Sequence, residues 1–175
     1  MGDLSEIIKN RRSIRRYQDK EIPEEIVDKL IESLIWAPSA GNLQSRKFHF
    51  VFNKKTREEL MKTTTFRQRF VSQAPLSVVC STDAGIVKVY GEKGEKLFSI
   101  CDVSASIQNL LLTAHNEGLG SCWVGAFDEK GVKEILGIPD AVRVVVLLPV
   151  GYPDEAPSMP VRKSRAEIFV SDKWH

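Results

Sequence analysis

The sequence has few cysteines and few histidines. Its three cysteines, Cys80, Cys101 and Cys122, are odd in number and lie far apart. Disulfide scaffolds use more cysteines, and cysteine-rich metal sites use closely spaced pairs, so neither is predicted. We expect all three to be reduced thiols in the core, where cysteine is common. The three histidines show no metal-ligand spacing either, so no metal site is expected.

Long hydrophobic runs are also missing. The longest strongly apolar segment, 142–150, contains Arg143 and Pro149. Because a membrane-spanning helix needs about 20 apolar residues, the sequence predicts none and no membrane partner. The first residues lack the basic, apolar and small-residue order of a signal peptide. We therefore expect no export and a cytoplasmic location.

Charge of one sign is not in excess. The chain has 25 basic and 23 acidic side chains, for a net charge of +2, which is too balanced for a protein that mainly coats nucleic acid. A glycine-rich phosphate loop between strand and helix is absent too, since residues 91–94 and 118–120 match neither a Walker loop nor a dinucleotide fingerprint. The ATPase and Rossmann dehydrogenase classes are therefore disfavoured.

What the sequence does have is a globular composition, with 175 residues of which 42% are hydrophobic. Length and composition predict one domain with a short tail. Hydrophobic periodicity predicts helices and strands in mixed order, hence an α+β (mixed α/β) fold of few strands. Helices are predicted at 23–35, 56–63, 98–117 and 129–136, and strands at 48–52, 76–81, 121–124 and 142–150. The glycine-rich and charged segment 82–96 is predicted to be a mobile excursion.

Two polar segments in the first quarter of the chain could carry chemistry. Arg11-Arg12-Ser13-Ile14-Arg15 offers guanidinium forks and a hydroxyl, which suit a phosphate. A solvated basic face at a helix end would look the same. The second segment, 37–44, combines small residues with an asparagine and a glutamine, which suits the edge of a flat heterocycle or an ordinary turn.

Two further segments lie later in the chain. Residues 117–127 join a helix stop to a small-residue strand that carries Trp123. They could form a wall against an aromatic ligand or a glycine-rich connection in the core. The basic run 162–165 could return to an anion or could be a charged tail.

Taken together, these segments resemble one known family. RRSIRRY, APSAGNLQ, the helix running into GLGSCWVGAFD, the strand VVVLLPVGYP and PVRKSR stand in the order of the nitroreductase-like FMN-dependent oxidoreductases. The resemblance covers nearly the whole chain. It implies a central, mostly antiparallel sheet flanked by helices, in an intertwined homodimer. Residues 1–153 would form one FMN-binding domain, and residues 154–175 a tail that contributes to the flavin site and dimer packing.

The resemblance also implies flavin contacts in the first and third motifs. The positions that match the phosphate and ribityl contacts are Arg11, Arg12 and Ser13. Arg15 matches a basic position at the pyrimidine edge of the ring. The positions that match the segment beside the ring are Trp123, Val124 and Gly125.

The second and last motifs imply contacts from elsewhere. Ser39, Asn42 and Gln44 match a loop that reaches the flavin from the partner subunit. Arg162 and Lys163 match a basic pair at the phosphate, although Lys163 and Arg165 could occupy those places instead. Many relatives have a proline and an aromatic residue where this chain has Ser45 and Arg46. Arg46 could add positive charge near the site or point to solvent, and we expect it to point to solvent.

The implied activity is electron transfer from NADH or NADPH, through bound FMN, to a small conjugated acceptor such as a nitroaromatic, a quinone or a flavin. The flavin would carry the chemistry, so no catalytic side chain is predicted. Two alternatives stay open. One is a flavin-binding module without turnover, and the other is a specialised relative that removes halogens reductively or fragments its own flavin.

Overall fold

Four strands form one antiparallel sheet in the structure, a computed structural model that describes residues 3–173. The strands are β1 (Arg46–Val51), β2 (Leu76–Thr82), β3 (Gly120–Ser121) and β4 (Val144–Gly151), in the order β1-β2-β4-β3. Strands β2 and β4 are central, and nearly every residue in them is buried. The prediction of an α+β fold with a mostly antiparallel sheet is confirmed.

Within residues 3–173, eight helices connect and cover these strands. They are α1 (Leu4–Asn10), α2 (Glu24–Ile35), α3 (Lys54–Thr63), α4 (Phe70–Gln73), α5 (Val87–Lys93), α6 (Ser99–Asn116), α7 (Glu129–Leu136) and α8 (Arg165–Ile168). Their ends follow local chemistry. Asp3, Asn53 and Asp128 accept backbone N–H bonds as N-caps of α1, α3 and α7. Gly137 ends α7 in the left-handed conformation.

The core lies on both faces of the sheet, since successive residues of β2 point to opposite sides. On one face, Val78 and Cys80 pack in the cluster that contains the buried stripe of α6 and two leucines of α2. On the other face, Val79 packs with Leu60 of α3 and Val132 of α7. The longest helix, α6, is therefore sandwiched between the sheet and α2.

By length and composition alone, the helical stretch Ala84–Asn116 could cross a membrane. Eight residues of α6 within that stretch are nevertheless buried in the protein core. Core helices of globular proteins pass the same test, because they too are long and apolar. The packing therefore identifies α6 as a core helix.

Two sequence predictions about this region are wrong. Segment 82–96 is largely helical: a 3₁₀ turn at Ala84–Ile86 leads into α5, and a π-helical turn at Gly94–Phe98 leads into α6. Buried Ile86 and the edge-to-face pair Tyr90–Phe98 hold it in place. Cys101 is exposed on α6, whereas Cys80 and Cys122 are buried as expected.

Candidate functional site

The first basic segment runs directly beside β3. The Ile14 N–H donates to the Ser121 carbonyl at 3.0 Å, and Ser13 forms an isolated parallel β-bridge with Ser121. This close approach depends on Gly120, where a Cβ would meet the Ile14 side chain at 2.5 Å. Two motifs more than 100 residues apart in sequence are thereby brought together.

A cavity of about 260 Å³ opens where α1 ends, against the last turn of α6 and the chain that follows β4. Its charged lining residues are Arg11, Arg12 and Glu155, and His115 also lines it. Burial, Arg162 and Arg12 together lower the pKa of Arg11. Arg162 of the last motif therefore lies in the neighbourhood of Arg11.

Arg12, which lines the cavity, also caps the end of α1. Its Nη1 donates to the carbonyls of Lys9 and Arg11 at 2.6 and 2.9 Å, where the end of α1 leaves carbonyls without helical partners. Its Nε is buried and has no partner within the described residues. A buried donor without a partner is costly, so an acceptor supplied by a ligand would be stabilising here. The donor set suits an anion with several oxygens, such as a phosphate.

Beyond the cavity, the side chains of the first and third motifs meet. The Ser13 and Cys122 side chains are neighbours there. Burial raises the pKa of Cys122, while Arg15 and Ser13 oppose that rise. The Arg15 backbone N–H donates to the Glu155 carboxylate, and the Arg15 side chain is exposed. The Arg15 guanidinium is therefore free to face a ligand.

Residues 123–125, which follow β3, form a surface segment that we call the ledge. Val124 is buried and exchanges two backbone hydrogen bonds of 3.0 Å with Leu147 of β4. Trp123 and Gly125 are exposed on either side of it, with Trp123 at 42%. An anchored backbone with an open aromatic ring beside it can support a flat ligand.

One exposed aromatic residue beside this ledge was missed by sequence reasoning. Phe66 is 96% exposed and has φ of 61°, which is unusual for a residue other than glycine. Its neighbour Thr65 donates an N–H bond to the Ala126 carbonyl at 2.9 Å, so the loop abuts the ledge. No periodicity in the sequence marks Phe66, because its exposure depends on contacts between distant segments.

The second motif forms a tight loop with three residues in the left-handed region, Gly41, Asn42 and Gln44. The Gln44 N–H donates to Ser39 Oγ at 3.0 Å, which closes the loop. The side chains of Asn42 and Gln44 are exposed. Strained backbone of this kind persists where the surroundings fix it and is common at ligand sites.

The surroundings fix this loop from two sides. Buried Asp102, on the first turn of α6, accepts the Ala40 N–H at 2.9 Å through Oδ1. The Tyr90 ring of α5 closes over Gly41, so that a Cβ at Gly41 would lie 2.6 Å from the Tyr90 hydroxyl. The excursion 82–96 therefore supports the loop.

The expectation that Arg46 points to solvent is wrong. Its guanidinium donates to the carbonyls of Ile35, Ala37 and Pro38 at 2.8–3.0 Å. These carbonyls lie at and beyond the end of α2, where helical partners run out, and a cation is favourable there. Arg46 thus fastens the start of the loop to α2.

We expect Asp102→Ala to loosen this loop. Removal of the buried carboxylate leaves the Ala40 N–H without its acceptor, and such a loss costs about 1–3 kcal/mol locally. Hydrogen exchange of residues 39–44 should accelerate by about tenfold or more. Asp83→Ala is the matched control, because Asp83 Oδ1 also accepts a backbone N–H, from Gly85, but at an exposed position. Unchanged exchange in Asp102→Ala would contradict the assignment.

Within one chain, the loop and the cationic cavity are far apart. Asp102 holds the loop at the beginning of α6, and His115 lines the cavity thirteen residues later on the same helix. At 1.5 Å per residue, these positions are about 20 Å apart. The structure therefore brings together the first, third and last motifs but leaves Ser39, Asn42 and Gln44 away from them.

The three basic residues of the tail differ in their surroundings. Arg162 lies close enough to Arg11 to affect its pKa. Lys163 is exposed, and no hydrogen bond or ion pair of the described residues involves it. Arg165 belongs to α8 and stacks on the Phe169 ring with 4.9 Å between its Cζ and the ring centroid. Of these residues, Arg162 is the one whose charge acts on Arg11.

Comparison with known proteins adds an independent observation. A family model described as "Nitroreductase family" matches residues 8–64 and 55–152. A protein of Methanothermobacter thermautotrophicus, named "Putative NADH dehydrogenase/NAD(P)H nitroreductase", is 35% identical over 99% of this chain and 86% of its own length. The solved structure of an FMN-dependent nitroreductase from Clostridium difficile is 27% identical, with a TM-score of 0.82 over 95% of this chain and 98% of that one.

Proposed function

This chain belongs to the nitroreductase family, and from that premise we propose that it binds FMN and uses it to pass electrons from NADH or NADPH to a small conjugated acceptor. Relatives named as NAD(P)H nitroreductase, NADH dehydrogenase and NADPH-dependent oxidoreductase support an oxidoreductase activity. The observation that carries the proposal for this chain is that Arg11 and Arg12 line one cavity next to the ledge 123–125, with Arg162 near Arg11.

The residues present fit FMN. The phosphate of FMN carries close to two negative charges, and the cavity offers guanidinium groups and a buried Arg12 Nε without a partner. The ledge offers backbone and the Trp123 ring for a flat heterocycle. Bound FMN would supply the hydride and electron chemistry, as cofactors do in general.

The task of the protein is then to bind and to position. Arg11, Arg12 and Arg162 would hold the phosphate, and Ser13 would contact the ribityl chain. Arg15 would supply a positive charge at the pyrimidine edge, which favours the gain of negative charge there. The ledge would cover one side of the ring and leave the other open to reductant and acceptor. Phe66 would stand at the rim of that opening.

We further propose that two copies of the chain complete each site. The loop carrying Asn42 and Gln44 lies about 20 Å from the cavity of its own chain, and this separation supports its supply by a partner. The tail supports the same arrangement, because its apolar side chains are uncovered in one chain: Val161 is 97% exposed, and Ile168 and Phe169 are more than half exposed. Exposed apolar side chains of this kind mark an interface. In such a dimer, Asn42 and Gln44 would contact the flavin of the partner, and the enzyme would work in the cytoplasm.

The proposal is tested by reconstitution. The purified protein is incubated with FMN, desalted and examined for a retained flavin spectrum. Oxidation of NADH and NADPH is then followed with a nitroaromatic, a quinone or free FMN as acceptor. We expect retained flavin and acceptor-dependent oxidation of at least one nicotinamide. A folded protein that retains no FMN would refute the proposal, and tight FMN binding without turnover would leave only the binding function.

A further inference from the structure

His115 is a titratable side chain that the sequence motifs do not account for. It lies on the last turn of α6 and lines the same cavity as Arg11 and Arg12. It is half-buried, so it is neither a core residue nor a freely solvated one. It therefore faces the place where the proposed function puts the flavin phosphate.

Each segment packed against the cavity contributes charged side chains near His115. The end of α1 contributes Arg11 and Arg12, and the tail brings Arg162 close to Arg11. The segment after β4 contributes one carboxylate, Glu155, which is already bound to the Arg15 backbone N–H. At the C-cap of α6, Glu117 is paired with Lys29 of α2 at 2.7 Å. The surroundings of the imidazole are therefore net positive when no anion is bound.

This environment disfavours a proton on the imidazole. Burial, Arg11 and Arg12 all lower the pKa of His115. An anion in the cavity reverses the balance, because it offsets the two guanidinium charges and offers an acceptor to the ring. Phosphate binding and protonation of His115 should then favour each other.

We propose that His115 is a further ligand of the flavin phosphate and that it takes up a proton when the phosphate binds. The inference rests on the proposed function, since it names a contact within that site. The sign of the pH dependence follows. The contribution of His115 to FMN affinity is largest at low pH, where the bound imidazole is charged, and is lost as the pH rises past the pKa of the bound form.

The test compares FMN affinity of the wild type and His115→Gln between pH 6.0 and 8.5, measured by quenching of flavin fluorescence. The second ionisation of the phosphate falls near pH 6 and weakens binding at low pH in both proteins. The informative quantity is thus the ratio of the two dissociation constants at each pH. We expect the dissociation constant of the variant to exceed that of the wild type by no more than about twofold at pH 8.5 and by about tenfold at pH 6.0.

Two controls separate this role from a structural one. His49→Gln replaces another half-buried histidine, on β1, whose pKa is also lowered by burial, and its ratio to the wild type should stay constant with pH. Riboflavin has no phosphate, so the His115 substitution should leave the affinity for riboflavin unchanged at every pH. Calorimetry in buffers of different ionisation enthalpy should show net proton uptake on FMN binding that is smaller in His115→Gln.

A ratio that does not change with pH, in proteins that bind FMN normally, would overturn the role of His115 and leave the proposed function intact. Failure of the folded wild type to bind FMN at any pH would instead overturn the proposed function, and this inference with it.

Discussion

Arg11→Ala is expected to weaken FMN binding by about 100-fold or more. Arg11 lines the cavity, and its guanidinium can form two charge-assisted hydrogen bonds with a phosphate. Hydrogen bonds to charged groups contribute about 1.5–3 kcal/mol each, and every 1.4 kcal/mol changes the dissociation constant tenfold. Loss of one such pair of bonds therefore gives the expected effect, which equilibrium titration with FMN would measure.

Riboflavin and a neighbouring arginine provide the controls for Arg11. Riboflavin lacks the phosphate, so its affinity should change little in Arg11→Ala. Arg16→Ala removes an arginine from the same basic segment, but the Arg16 guanidinium donates to the Asp154 carbonyl on the surface. Its FMN affinity should stay within about threefold of the wild type, as is usual for exposed ionic contacts. An equal loss of FMN and riboflavin affinity in Arg11→Ala would indicate general damage instead of a phosphate contact.

Mixing two inactive variants is expected to restore activity. One variant is Arg11→Ala, which lacks the phosphate ligand. The other carries Asn42→Gly and Gln44→Gly, which remove the loop side chains and still accept their positive φ angles. If each site takes Arg11 from one chain and the loop from its partner, a mixed dimer has one intact site and one site that lacks both parts.

Random assortment of the two variants makes about half of the dimers mixed, as follows from a symmetric two-chain assembly. Activity should therefore recover to about a quarter of the wild-type value per chain after joint refolding. Mixed dimers isolated with two different affinity tags should reach about half. If both parts acted within one chain, no combination would contain an intact site, and activity would stay at the level of the separate variants.

Much of the fold was predictable because it follows from local patterns. The nearly continuous apolar run 142–150, rich in valine, indicates a buried strand, and the apolar stripe of 98–117 indicates a long core helix. The structure has β4 at Val144–Gly151 and α6 at Ser99–Asn116. Segment 82–96 was predicted incorrectly because its glycines and charges are locally typical of a loop. Its helices are stabilised by nonlocal contacts, such as Tyr90 against Gly41.

The candidate site was also predictable only in part. The residue types in the first and last motifs indicate an anion ligand, because arginine forks suit phosphate wherever they lie in the chain. The sequence does not show that Arg162 lies near Arg11, because that depends on how the tail returns past β4. The sequence does not show that Arg46 is drawn away from solvent. The unpartnered carbonyls at the end of α2 that bind it are eleven to eight residues away.

By itself, the sequence determined the class of the protein: its helices and strands, the family motifs and the kind of ligand that those motifs suit. All of these depend on residue type and short-range spacing. Only the tertiary structure decided which motifs share a site, that His115 joins the cationic cavity, and that the Asn42 loop lies about 20 Å away. These are distances between segments far apart in sequence, and packing of α6 against the sheet sets them.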